Sequence, residues 1–179
     1  MRRLLAIALT TTAAVAATGT AAWALHDSGK SALIGLAGGD DACDQVDHGT
    51  ADDAAHAVSG LTPPTRAALD AAQQAARRAG IKLTVNSGYR SAAYQQRVYD
   101  CWVGQTGSAR TAREHALPPA ESAHVAGDAI DVAPPSAAAG LEHSAGKYGL
   151  CRRYENEPWH FEYQGSYSQG RCPALVAHP

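Results

Sequence analysis

Hydrophobic and polar positions change rhythm along the chain, and each change marks an element. Residues 4–17 form a nearly unbroken apolar run behind Arg2 and Arg3, and the small-x-small triplet Ala22-Trp23-Ala24 follows it. A positive end, an apolar centre and a small-residue exit, in that order, are the marks of an export segment. The apolar stretch up to Leu25 also approaches the roughly 20 residues that span a bilayer, so retention as a membrane anchor is the competing reading. Its many threonines and alanines favour cleavage. Residues 26–42 are rich in Gly, Ser and Ala with one short apolar patch and no sustained period, which reads as a linker. Residues 44–59 are acidic and small, an irregular lead-in tied down by Cys43. The expected organisation is an export segment or anchor over 1–25, a linker over 26–42 and one working domain over 43–179.

Within that domain the periods alternate between helix and strand. Leu69, Ala72 and Ala76 recur at helical spacing over residues 64–78, with Thr62 or Thr65 as cap, prolines at the first turn and Gly80 at the end. Residues 81–86 set Ile81, Leu83 and Val85 against Lys82, Thr84 and Asn86, the period of a half-buried strand. Helix returns over 91–103, where Ser91 caps and Tyr94, Val98, Cys101 and Trp102 form one apolar face. Residues 104–119 make a long connection with Gly, Ser and Pro-Pro, a length that in a compact domain usually carries function. A short strand over 127–132, a helix over 137–148 closed by Gly149, and a strand over 159–163 complete the pattern. It predicts an α+β fold, a small and mainly antiparallel sheet with flanking helices. A domain of about 135–150 residues buries roughly two thirds of its unfolded surface and can fold alone, and a monomer is expected.

Composition alters this picture in two respects. Lys and Arg number 15 against 17 Asp and Glu, for a formal net charge of -2, so there is no basic field to hold a nucleic acid by counterion release. Eight histidines and four cysteines raise the alternatives of metal and disulfide chemistry. Cys43, Cys101, Cys151 and Cys172 all follow the export segment, and no C-x-x-C pair occurs among them. Outside the cytoplasm thiols oxidise, so disulfides are expected. Three connectivities are possible; pairing of sequence neighbours, Cys43 with Cys101 and Cys151 with Cys172, is the expected one.

Chemistry concentrates in three segments: Ser87-Gly88-Tyr89-Arg90-Ser91, the stretch from Ser122 and His124 to Asp131, and Glu157-Pro158-Trp159-His160. Asp131 lies in a strand on the face opposite Ile130 and Val132, where a carboxylate needs a partner if it is buried. A metal ion is one such partner, and an exposed strand edge is the alternative. His160 alternates with Trp159 and Phe161, so it faces away from the rings, and Glu157 stands in the Pro-marked turn before it. Two histidines and one carboxylate form a catalytic zinc set that leaves a fourth position open. A carboxylate that is not a ligand can then serve as the base.

The order Ser122-x-His124-x-x-Gly127-x-Ala129-x-Asp131, then Glu157-x-Trp159-His160-x-Glu162-Tyr163, preceded by the segment around Arg90, resembles the VanY-type D-alanyl-D-alanine carboxypeptidases. These zinc peptidases of the bacterial wall share a fold with D-Ala-D-Ala dipeptidases and hedgehog signalling domains, and the likeness covers about residues 61–163. It implies that His124, Asp131 and His160 bind Zn2+, that Glu157 is general base and then acid, and that Arg90 polarises the scissile carbonyl. Ser122 matches a family position beside the metal and is a candidate for substrate contact, and Tyr89 and Gln95 are candidates for shaping the groove. The reading that follows is a secreted or membrane-anchored D,D-carboxypeptidase acting on peptidoglycan stem peptides. An endopeptidase of the same wall, cutting for instance after L-Ala, needs the same centre. A zinc-stabilised binding module would need neither Glu157 nor Arg90. His115 is a lesser candidate for the cleft, Asp128 reads as a turn acid, and Glu162 either orients His160 or is solvated.

Overall fold

The computed structural model describes Cys43 and residues 58–179. The export segment, the linker and most of the lead-in lie outside the described residues. Among those described, no helix is long and apolar enough to cross a membrane. The elements run α1 (Pro63–Arg78), β1 (Thr84–Ser87), α2 (Ala92–Thr106), α3 (Ala109–Ala112), α4 (Ala123–Ala126), β2 (Ala129–Ala133), α5 (Pro135–His143), β3 (Leu150–Arg152) and β4 (His160–Tyr163). A 3-10 helix, Gly165–Gln169, follows. The sheet is antiparallel, as expected, and its strand order is β1-β2-β4-β3.

Helix α1 begins with prolines in its first turn, where their missing N–H groups cost nothing. The expected threonine cap takes a different form. Thr62 and Thr65 both donate to the Asp128 carboxylate (2.6 and 2.8 Å), and Thr62 makes no side-chain bond to the helix backbone. Asp128 is thus a structural tie between α1 and the turn that ends α4. That turn needs Gly127: its φ is +77°, and a Cβ there would lie 2.7 Å from the Gly60 carbonyl oxygen.

Strand β1 covers only the second half of the expected segment. Its partner β2 ends at Ala133, opposite Thr84, so residues 81–83 have no strand to pair with. They return along α1 instead, with the Ile81 N–H donating to the Ala76 carbonyl. Helix α5 starts at Pro135 and stops at His143, short of the expected 148, because Ala145, Gly146 and Gly149 adopt positive φ. Residues 150–152, read as part of no element in the sequence, form the edge strand β3.

Two apolar clusters result. Leu69, Ile130, Leu150, Phe161 and Leu141 pack between the sheet and helices α1 and α5. Tyr94, Val98 and Trp102 of α2 pack with Ala112, Ala116 and Cys43 in the other. Both disulfides have the expected pairing: Cys43 with Cys101 fastens α2, and Cys151 with Cys172 fastens β3.

Candidate active site

Strand register brings the site together. Asp131 of β2 is paired directly with His160 of β4, and Ser87 of β1 is paired with Asp131 on its other side. Directly opposed residues share a face of the sheet, so one carboxylate and one imidazole meet without help from any loop. An irregularity between Val85 and Ser87 bends β1 at its end, and three residues later Arg90 enters the same space. His124 arrives from α4, a single turn whose Gly127 lets the chain reverse into β2.

The three predicted donors converge. One ligand atom from each of His124, Asp131 and His160 lies within 4.8 Å of the others, and all three residues are buried. His160 Nδ1 is 3.0 Å from Asp131 Oδ1, and His124 Nε2 is 3.4 Å from Asp131 Oδ2. Each imidazole is oriented by its far nitrogen. His124 Nδ1 lies 2.7 Å from the Gly88 carbonyl, which can only accept, so that nitrogen carries the proton and Nε2 faces the centre. His160 Nε2 lies 3.3 Å from Glu162, leaving Nδ1 inward. Outer acceptors of this kind fix imidazole orientation in metal sites. Buried donors, ring nitrogens turned inward and an oriented ring on each side fit a divalent metal of the zinc type.

The electrostatics describe the same centre. Burial, aided by the nearby Arg90 charge, lowers the His124 pKa and keeps its ring neutral. Burial alone would raise Asp131, but contact with His124 and His160 outweighs it and holds the carboxyl well below its usual range. Burial opposes charge on His160 as well; its hydrogen bonds to Asp131 and Glu162 win and push its pKa to about 10, so without a metal Nδ1 holds a proton toward Asp131 that a bound cation would displace. Glu162 is lowered by its bonds to His160 and Tyr154 in spite of burial. Burial first, and Glu162 next, raise Tyr154, which stays a neutral donor.

The remaining predicted residues divide between cleft and scaffold. Arg90 lines the cleft, and its guanidinium is held at Ser87 Oγ (3.0 Å), Gln95 Oε1 (3.3 Å) and Asp131 Oδ2 (3.1 Å). Glu157 lines it too, with a carboxylate oxygen 3.8 Å from His160 Nδ1. Ser122 is buried at the start of α4, lines the cleft and makes no capping bond to that helix. Gln95 has both ends of its amide engaged, accepting from Arg90 and donating to the Leu117 carbonyl (2.7 Å). Tyr89 is not brought into the cleft. Its ring lies against Gly60, where an added Cβ would fall 2.4 Å from it.

Other wall residues had little or no sequence signal. His115 lines the cleft and stacks on Trp102 with ring centroids 4.0 Å apart. Tyr154 also lines it and donates from its hydroxyl to Glu162 (3.1 Å); it sits in an Arg-Arg-Tyr-Glu stretch with no period to reveal it. Glu162, expected either to orient His160 or to be solvated, does the former: it shares the His160 face of β4 and bonds that ring.

Comparison with known proteins gives the same assignment as the geometry. Residues 59–166 match the VanY family, D-alanyl-D-alanine carboxypeptidase. The chain is 33% identical over 121 residues to the putative carboxypeptidase YodJ of Bacillus subtilis (strain 168), covering 55% of this chain and 44% of YodJ. It is similar to the LD-carboxypeptidase LdcB (28% identity, TM-score 0.55), over 61% of this chain and 62% of LdcB. It is also similar to a variant of the vancomycin-resistance D,D-pentapeptidase VanY, solved in complex with Zn(II), at 26% identity and TM-score 0.53, over 63% and 80% of the two chains. The chain thus spans less than two thirds of the length of YodJ and of LdcB. With more than half of its residues inside the family match and a His-Asp-His group assembled from two adjacent strands and the turn of α4, the chain belongs to the VanY family of D-alanyl-D-alanine carboxypeptidases.

Proposed function

We propose that the protein is a zinc-dependent D,D-carboxypeptidase that removes the terminal D-alanine from peptidoglycan stem peptides ending in D-Ala-D-Ala. One observation carries the reading: a buried His124, Asp131 and His160 set shares a cleft with Glu157 and Arg90, a base and a cation that a binding module would not require. His124 Nε2, an Asp131 oxygen and His160 Nδ1 would hold the zinc ion. When bound, zinc supplies Lewis-acid polarisation and brings a coordinated water toward neutral pKa.

The chain's own groups then divide the work. Glu157 takes a proton from the attacking water and returns it to the departing amine, so no covalent intermediate with the protein is required. Arg90 offers a rigid fork of donors to the oxygen that becomes negative in the tetrahedral state. Ser87, Gln95 and Asp131 pre-orient its fork. Ser122 is available to the substrate from the cleft wall. The working domain is taken as residues 43–179, behind an export segment or anchor. Two disulfides and a wall substrate fit a site of action outside the cytoplasm.

A second reading, an L,D-carboxypeptidase, is favoured by the likeness to LdcB. Mass spectrometry of stem peptides after incubation with zinc-loaded protein separates the two. Loss of alanine from a pentapeptide ending in D-Ala-D-Ala supports the D,D reading, and loss from the tetrapeptide alone supports the L,D reading. Internal cleavage points to an endopeptidase. Intact peptides would contradict a peptidase role.

A further inference from the structure

The family match ends at residue 166, yet the chain beyond it returns to the cleft. Cys172 is bonded to Cys151 at β3, and the segment that follows runs parallel to the residues leaving that strand, with Val176 beside Tyr154. The Val176 N–H donates to the Arg153 carbonyl (3.0 Å), while Glu155 and Asn156 donate to the carbonyls of Val176 (2.8 Å) and Ala177 (3.3 Å). The inner strand of this pair is itself braced, because the Arg152 guanidinium donates to the carbonyls of Tyr154 (2.9 Å) and Glu155 (2.7 Å). Space for the disulfide depends on Gly146: with φ at +82°, it has no Cβ to meet the two sulfurs at 3.1 and 3.2 Å.

This course brings Pro179 to the cleft, where it lines the wall with Tyr154, Glu157 and His115. A third segment joins there. The Asn156 side chain donates to the Glu114 carbonyl (3.3 Å), linking the wall that carries His115 to the wall that carries Glu157. Three stretches of chain, at 114–117, 154–157 and 176–179, are therefore connected beside the cleft by hydrogen bonds. A peptide passing through at this corner would have to displace the tail and strip its backbone groups of their partners. Pro179 offers such a peptide no N–H with which to extend the pairing.

We propose that residues 176–179 are a substrate-facing wall that closes one end of the cleft, so that the site accepts a peptide ending there and rejects one running through it. The proposal rests on the peptidase reading above and gives it a structural reason to be an exopeptidase.

The test compares three zinc-loaded full chains: the wild type, Pro179→Gly, and a variant with residues 176–179 replaced by Gly and Ser. Each is offered a stem pentapeptide ending in D-Ala-D-Ala and the same peptide extended by two glycines at either end. The wild type should discriminate on the order of 100-fold in kcat/KM against one of the two extensions, the scale at which a few pocket contacts separate substrates. Replacement of 176–179 should reduce that discrimination roughly tenfold or more, with Pro179→Gly, which leaves the backbone pairing intact, falling between. Equal acceptance of both extended peptides by the wild type would overturn the proposal. So would an unchanged ratio in the replaced variant with all rates lowered alike, the behaviour of a tail that only braces Glu157. A wild type inactive on every peptide sinks the peptidase reading instead. In that case calorimetric Kd values for the same peptides report the ratio and decide the tail's role.

Discussion

The two sides of the cleft are built in different ways. The donor side stands on β2 and β4, where Ile130 and Phe161 are fully buried between the sheet and two helices, so Asp131 and His160 inherit the rigidity of a packed layer. The opposite side hangs from α2. Arg90 precedes that helix, and His115 to Leu117 follow the short α3, supported by a smaller cluster to which Cys43 is tied by its disulfide with Cys101. Donor geometry is thus set by strand register and apolar packing, whereas wall geometry is set by a staple and a few polar bonds. Damage to the first should cost metal; damage to the second should cost substrate recognition.

Glu157, at the seam between the sides, gives the largest expected effect. Glu157→Gln should lower turnover by about 10²–10⁴-fold, the usual contribution of a positioned general base, while leaving metal content unchanged. Loss of the metal in that variant would make Glu157 part of the donor side.

Phe161→Ala strikes the layer next to His160. It should destabilise the domain by about 3–5 kcal/mol in denaturant unfolding and weaken metal retention with it. Unaltered metal affinity would show that donor geometry does not depend on that packing. Replacing both Cys43 and Cys101 by Ser should cost roughly 2–4 kcal/mol of stability. Metal content should stay constant and KM should rise, because the loss falls on the α2 side. The smallest effect is expected from Glu162→Gln, which weakens the outer bond to His160 Nε2. Metal affinity should fall by about 10–100-fold, read by competition with a chelator, with little change in the unfolding midpoint of the metal-free protein.

How much of this could be read from the sequence follows the same division. Two of the three donors are legible because alternation is a strand signal: it sets Asp131 against Ile130 and Val132, and His160 against Trp159 and Phe161, whereas His124, on the single turn of α4, is marked by the family resemblance alone. The register that pairs Asp131 with His160 was not legible, since it depends on which strands become neighbours. The wall side was harder to read. Gln95 is a candidate groove residue in the sequence, but its bond to the Leu117 carbonyl, 22 residues away, follows from no local pattern. Tyr89 stands within the Ser-Gly-Tyr-Arg-Ser segment and yet packs on Gly60, in the turn that leads into α1, a contact between distant stretches of chain. Strand β3 and the tail beside residues 153–156 lack a hydrophobic period, being held by a disulfide and backbone pairing that any side chain permits. The early end of α5 was visible only as glycines, whose positive φ becomes decisive once the disulfide and Tyr163 crowd them.

The central claim is that His124, Asp131 and His160 hold one zinc ion on which hydrolysis depends, and a zinc titration of chelator-stripped protein tests it most directly. Bound zinc is measured by elemental analysis, and release of D-alanine from a D-Ala-D-Ala-ended peptide is measured in the same samples. Activity should be absent at the start and rise in proportion to bound zinc until about one ion per chain, as expected for a three-ligand catalytic site. Full activity in the metal-free protein, or activity indifferent to bound zinc, would contradict the account.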